Sequence, residues 1–122
     1  MRPIQLLVRL EWAAVMTIAV AAYWSGGYSW WIFALLILAP DLSMIGYLAG
    51  PRVGAIAYNI VHTVISPLAL ATAGLWFGID WALQVSIILM AHIAIDRALG
   101  YGLKLSSGFQ DTHLGRIGRV NP

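Results

Sequence analysis

Ala91-His92-Ile93-Ala94-Ile95-Asp96-Arg97 closes the last long apolar run of this chain and continues into Ala98-Leu99-Gly100-Tyr101-Gly102-Leu103-Lys104. Its histidine and aspartate are four residues apart. On a helix that spacing puts both side chains on one face, about one turn apart. Ionisable groups inside an otherwise lipid-compatible helix are costly, so they point first to a functional site. The stretch is also the polar end of one apolar segment in a chain built of such segments, and that decides the fold class.

Of the 122 residues, 61% are hydrophobic and only 10% charged. A soluble domain carries about 25% charged residues, and the mean hydropathy here is +0.81. The composition is that of a membrane protein. Cysteine is absent, which removes disulfides, thiolate metal sites and thiol nucleophiles together. The net charge is +2 and the basic residues are scattered singly, so there is no nucleic-acid footprint.

Working back from that stretch, four apolar segments approach the roughly 20 residues a helix needs to cross a bilayer. The expected helices cover about 4–23, 29–49, 53–77 and 81–103. Ser25-Gly26-Gly27, Gly50-Pro51-Arg52 and Gly78-Ile79-Asp80 separate them, and Ser66-Pro67 predicts a kink in the third. Arg2, Arg9 and Ala19-Val20-Ala21 give the first segment a signal-peptide flavour. With Met1 at its head, we read it as a retained span. Residues 104–122 form a polar, Gly-containing tail too short for a domain. The expectation is therefore an all-α polytopic membrane protein. It is one domain over 1–122, an antiparallel four-transmembrane-helix bundle with a short cytoplasmic C-terminal tail.

Arg2, Arg9, Arg52, Arg97, Lys104, Arg116 and Arg119 all fall at or near one side of such a bundle, and the other side carries only Asp80. The positive-inside rule then puts both termini in the cytoplasm. Tyr23, Trp24, Tyr28, Trp30, Trp31, Trp76, Phe77 and Trp81 gather at the opposite boundary as an aromatic belt. Gly46 to Gly50 and Gly74 to Gly78 have the small-residue spacing of close helix packing, within the bundle or between copies.

Depth singles out the polar residues. At about 1.5 Å per residue, Glu11 lies about 13 Å in from Arg2, Asp41 about 16 Å before Arg52, and His62 about 15 Å after it. His92 and Asp96 lie about 18 and 12 Å before Lys104. Four helices thus bring polar groups to similar depth in the cytoplasmic half. Each has a bland explanation. Glu11 can pair with Arg9 or snorkel. Asp41 after Pro40 can cap a resumed helix. Asn59 and His62 can be hydrogen-bonding glue. Asp96 can pair with Arg97, and Asp111 and His113 belong to the tail.

As a set, they match how helical bundles build metal sites. His62, His92 and Asp96 are the expected ligands, with Asp41 and Glu11 as further ligands or general base. Asn59 would orient substrate or a bound water, and Asp111 and His113 are further candidate ligands. Nitrogen and oxygen donors without sulfur suit zinc, iron or manganese, as one or two ions. The expected chemistry is metal-assisted hydrolysis on a lipid or other membrane-dissolved substrate. There is no Gly-rich phosphate loop, G-x-S-x-G elbow or H-E-x-x-H motif. The alternatives are a b-type haem held by His62 and His92 in an accessory subunit of a larger membrane complex, or a proton- or ion-translocating homo-oligomer.

Several motifs carry a resemblance: Arg9-Leu10-Glu11, Pro40-Asp41-Leu42-Ser43-Met44-Ile45-Gly46-Tyr47, Gly50-Pro51-Arg52-Val53-Gly54 and Tyr58-Asn59 with His62-Thr63. With them go Ala91-His92-Ile93 with Asp96-Arg97, Gly100-Tyr101-Gly102-Leu103-Lys104, and Gly108-Phe109 with Asp111-Thr112-His113-Leu114-Gly115-Arg116. Over essentially its whole length the chain resembles the small bacterial membrane proteins of domain-of-unknown-function family 4260. The resemblance implies four spans in a bacterial inner membrane and no particular reaction. It also draws the tail motif toward the site, as a cap folded back from the cytoplasm.

Overall fold

The structure is a computed structural model and describes residues 2–101, together with the backbone of 111–112 and 115–116. Its centre is α5, which we number last in chain order: α1 Pro3–Ser25, α2 Trp30–Leu36, α3 Pro51–His62, α4 Ile65–Phe77 and α5 Asp80–Ala98. A 3-10 helix, Ala39–Ala49, stands between α2 and α3. Ala91, His92, Ile93 and Ala94 are consecutive and all buried, so this part of α5 is covered on every side. α1 and α4 pack along α5, and α3 packs on the 3-10 helix. The Asp111–Thr112 and Gly115–Arg116 backbones pair antiparallel.

Four helical segments are long and apolar enough to cross a membrane: Pro3–Ser25, Trp30–Ala49, Pro51–Phe77 and Asp80–Ala98. The outer surface is apolar, with Leu10, Ile18, Leu35, Leu48 and Leu75 all exposed. The buried set meanwhile includes two histidines and Ser86. An apolar outer surface with the few buried polar side chains turned inward is the distribution a hydrocarbon solvent selects. The chain is an all-α, multi-pass membrane protein.

The second span differs from a single helix over 29–49. Pro40 has no amide to donate to Leu36, and its ring crowds the carbonyl of that residue. The α-helix accordingly ends at Leu36, and the chain resumes with the tighter 3-10 pattern. The Asp41 amide donates to Leu38 O at 3.1 Å, which releases the carbonyl of Ile37 from a helical partner.

The third span breaks at Thr63, earlier than Ser66-Pro67. The cause is again a proline, because the carbonyl four residues before Pro67 is that of Thr63. Thr63 is extended, at φ −79° and ψ 144°. The freed groups find partners locally: the Ser66 amide donates to Thr63 O at 3.2 Å, and the Ser66 hydroxyl donates to Ile60 O.

The fourth span ends at Ala98, not at 103. Gly100 takes φ +95°, which favours glycine. Its amide donates to Arg97 O at 3.1 Å and that of Tyr101 to Asp96 O at 2.7 Å. This pair of bonds is a Schellman cap.

The small-residue spacings resolve into packing within one chain. A Cβ on Gly46 would stand 2.9 Å from Ala57 Cβ, and one on Gly74 3.1 Å from Leu83 Cγ and from the Ile79 carbonyl. Gly50 and Gly78 serve backbone turns instead, with φ +115° and +67°.

Candidate metal centre

The two proline breaks and the middle of α5 converge on one point. His62 is the last residue of α3, where the chain breaks. Asp41 opens the 3-10 helix beside Pro40. His92 and Asp96 are one turn apart on α5. One ligand atom from each of these four residues lies within 4.8 Å of the other three. Both histidines are buried, at 4% and 3% exposure, while the Asp41 and Asp96 side chains are 35% and 19% exposed.

The ring orientations follow from the backbone. His62 Nδ1 lies 2.9 Å from Tyr58 O, and His92 Nδ1 meets Ile37 O at 2.5 Å. A carbonyl only accepts, so Nδ1 carries the hydrogen in both rings. In a neutral ring that leaves Nε2 as a lone pair. The two Nε2 atoms are 3.1 Å apart. Asp41 Oδ1 lies 3.2 Å from that of His62 and 3.1 Å from that of His92. Asp96 Oδ2 lies 3.7 and 3.2 Å from the same two atoms.

Two imidazole lone pairs and two carboxylates are all acceptors, and acceptors do not gather at 3.1 Å without a positive charge between them. A proton is one such charge and a metal ion another, and the separations fit both. For bond lengths of 2.0–2.1 Å to nitrogen and oxygen, the edges of a tetrahedron are about 3.4 Å. The five separations above run from 3.1 to 3.7 Å. The group can hold a metal ion, and a divalent cation would balance two carboxylates otherwise costly at this depth.

Other side chains hold the ligands in place. The Tyr58 ring stacks on His62, centroids 3.6 Å apart and planes at 4°. Its hydroxyl donates to Asp96 Oδ2 at 3.4 Å, tying α3 to α5. Such outer contacts fix ligand orientation in metal sites. Tyr58 was not among the residues expected from sequence, although its position four before His62 on one helix was a usable signal. The Ile37 carbonyl was not expected either.

Of the residues expected from sequence, Asp41, His62, His92 and Asp96 come together. Glu11 does not join them: it is exposed on α1. Asn59 is half-buried on α3, beside Tyr58 in sequence. His113 and the Asp111 side chain lie outside the described residues. Arg97 does not pair with Asp96; its guanidinium lies over the Trp12 ring, 4.6 Å from the centroid.

Among curated proteins and among solved structures, none matches the chain. A family model described as "Domain of unknown function (DUF4260)" matches residues 5–117. All four converging residues fall inside that span, and with nearly the whole length matched the chain belongs to the DUF4260 family.

Proposed function

We propose that this protein is a membrane-embedded, metal-dependent enzyme with hydrolase-type chemistry on a lipid or other membrane-dissolved substrate. The observation that carries the reading is the donor inventory at Asp41, His62, His92 and Asp96: four acceptors with one ligand atom each within 4.8 Å of the others, five of the separations running from 3.1 to 3.7 Å. The N2O2 set suits zinc, with iron and manganese as alternatives. Four ligands around one point call for one ion rather than two.

The same geometry speaks for a bare ion over haem. Two histidines on opposite faces of a haem iron need about 4 Å between their Nε2 atoms. They also need a flat slot between the rings. Here the atoms are 3.1 Å apart, and a carboxylate oxygen touches both.

Held by His62, His92 and Asp96, with Asp41 as the displaceable fourth ligand, a divalent ion would supply Lewis acidity and a water that ionises near neutral pH. The chain supplies position. Nδ1 hydrogen bonds lock both imidazoles, and Tyr58 steadies Asp96. Asp41 is the most exposed ligand, so a substrate meets it first, and its second oxygen is the candidate general base. With Arg2, Arg9, Arg52 and Arg97 turned to the cytoplasm, as charge bias favours, the site lies in the cytoplasmic half of the inner membrane.

The test is turnover in vesicles of mixed, radiolabelled phospholipids by purified protein. Loaded protein should release a labelled product, chelation should stop it, and added ion should restore it. His62→Ala should be inactive throughout. No product from folded, metal-replete protein would contradict the enzyme reading.

A further inference from the structure

Two unlike cavities border the elements that carry the metal centre, and α5 lines both. One is a partly open apolar cavity of about 250 Å³, lined by Leu36, Pro40, Val61, Val85, Ile88 and Leu89. Two of its lining residues are chain neighbours of the centre, Pro40 of Asp41 and Val61 of His62. Toward the C-terminal end of α5 is a recess of about 10 Å³ lined by Tyr58, His62, Ile93, Asp96, Arg97 and Tyr101. That is room for one water-sized atom, so an anionic group would meet Arg97 outside the recess.

Polarity therefore changes in order along α5. Val85, Ile88 and Leu89 face the apolar cavity, His92 and Asp96 reach the ion's position, and Arg97 borders the small recess. From Ile88 to Arg97 the rise is about 13 Å. Among the described residues no carboxylate pairs with Arg97: Asp96 is instead directed at the histidines and Tyr58. Arg97 keeps a planar fork of donors suited to a phosphate or carboxylate. Its stack on Trp12 holds the guanidinium at the recess without using those donors.

From this order we infer that the substrate of the metal centre is an anionic amphiphile. Its hydrocarbon chain lies in the cavity beside Pro40 and Val61, its labile group meets the ion, and its phosphate or carboxylate meets Arg97. The inference rests on the metal-enzyme reading above and adds the substrate class to it. A hydrocarbon occupant suits a cavity walled by aliphatic side chains and opening beside a lipid-facing surface. Arg97 makes the anion the partner of choice at the other end.

The test is equilibrium binding to untagged protein in an uncharged detergent, with four probes: dodecyl phosphate, dodecanoate, dodecyltrimethylammonium and inorganic phosphate. Metal content and thermal melting are read on the same samples. Dodecyl phosphate or dodecanoate should bind more tightly than the cationic probe, and which of them leads distinguishes phosphate from carboxylate recognition. Arg97→Gln should weaken the anionic probes about tenfold and leave the cationic one unchanged, while Arg97→Lys keeps most of the affinity. Val61→Trp, which fills the apolar cavity, should weaken every alkyl probe at unchanged metal content. Inorganic phosphate should bind weakly in all variants.

Equal affinity for anionic and cationic probes, or anionic affinity unchanged in Arg97→Gln, would overturn the headgroup assignment. Alkyl affinity unchanged in Val61→Trp would overturn the chain cavity and leave only bilayer-like adsorption. The metal readout keeps the two claims apart. A wild type without ion that still selects anions through Arg97 overturns the metal reading alone. One with its ion but no selectivity overturns the substrate class alone, and one with neither overturns both.

Discussion

His62 Nε2 and His92 Nε2 lie 3.1 Å apart although the residues are separated by 30 positions in the chain. Each ring has its other nitrogen committed to a backbone carbonyl, Tyr58 O for one and Ile37 O for the other. The Ile37 carbonyl stands next to a break in a membrane-spanning segment, whereas Tyr58 O lies one turn before His62, the last residue of α3; both breaks trace to prolines. A helix interrupted at membrane depth is tolerated where the freed groups line a site or are buried in protein. Here Pro40 and Pro67 shape the chain so that the lone pairs of two imidazoles meet.

Tyr58→Phe tests the outer support. The ring stack on His62 remains, and the hydrogen bond to Asp96 Oδ2 at 3.4 Å is lost. Metal affinity should fall about tenfold, the low end for such partners because the bond is long. Competition against a zinc chelator measures it. Unchanged affinity would show that Asp96 is held by its helix alone.

Pro40→Ala tests the first break. With a donor restored at position 40, the helix can continue and the Asp41 amide can return to Ile37 O. His92 Nδ1 then loses its acceptor. Metal affinity should fall by tenfold or more while helix content by circular dichroism stays level or rises. Retained affinity would mean that the Ile37 carbonyl does not set the ring.

Glu11→Gln separates depth from direction. Glu11 is exposed on α1, so the variant should bind metal as the wild type does, with stability changed by no more than about 0.5 kcal/mol. Metal analysis and a thermal melt check both. Lost metal would return Glu11 to the ligand set.

The contrast of Glu11 with Asp41 shows what the sequence made legible. Spans, and the depth of each polar residue, follow from counting residues at a fixed rise. Direction around each helix does not, unless a buried stripe is known. On α1 the buried residues are Ala19 and Tyr23, and Glu11 sits about 80° round from Ala19 at 100° per residue. The His92–Asp96 pair needed no such knowledge, because four-residue spacing fixes a shared face. The prolines announced breaks but not their form: Pro40 lies in an eleven-residue 3-10 segment, and no local pattern of residues distinguishes it from an α-helix. The release of Ile37 O, and with it the orientation of His92, depends on that form.

Gly54→Ala probes the packing that carries Asp41. Gly54 is buried where α3 crosses the 3-10 helix, and an added Cβ would overlap the Tyr47 ring. The ring must shift or the helices part, at a cost of about 1–3 kcal/mol. A lower melting temperature in detergent is expected, with weaker metal binding as Asp41 is displaced. A wild-type melt would mean that Tyr47 moves freely.

The most direct test of the metal centre is the metal content of untagged protein purified in mild detergent. Mass spectrometry and a visible spectrum are read together, on wild type and His92→Ala. The account predicts close to one zinc, iron or manganese per chain, no Soret band, and loss of the ion in the variant. A folded wild type with neither metal nor colour would contradict it, and a Soret band would replace the bare ion with haem.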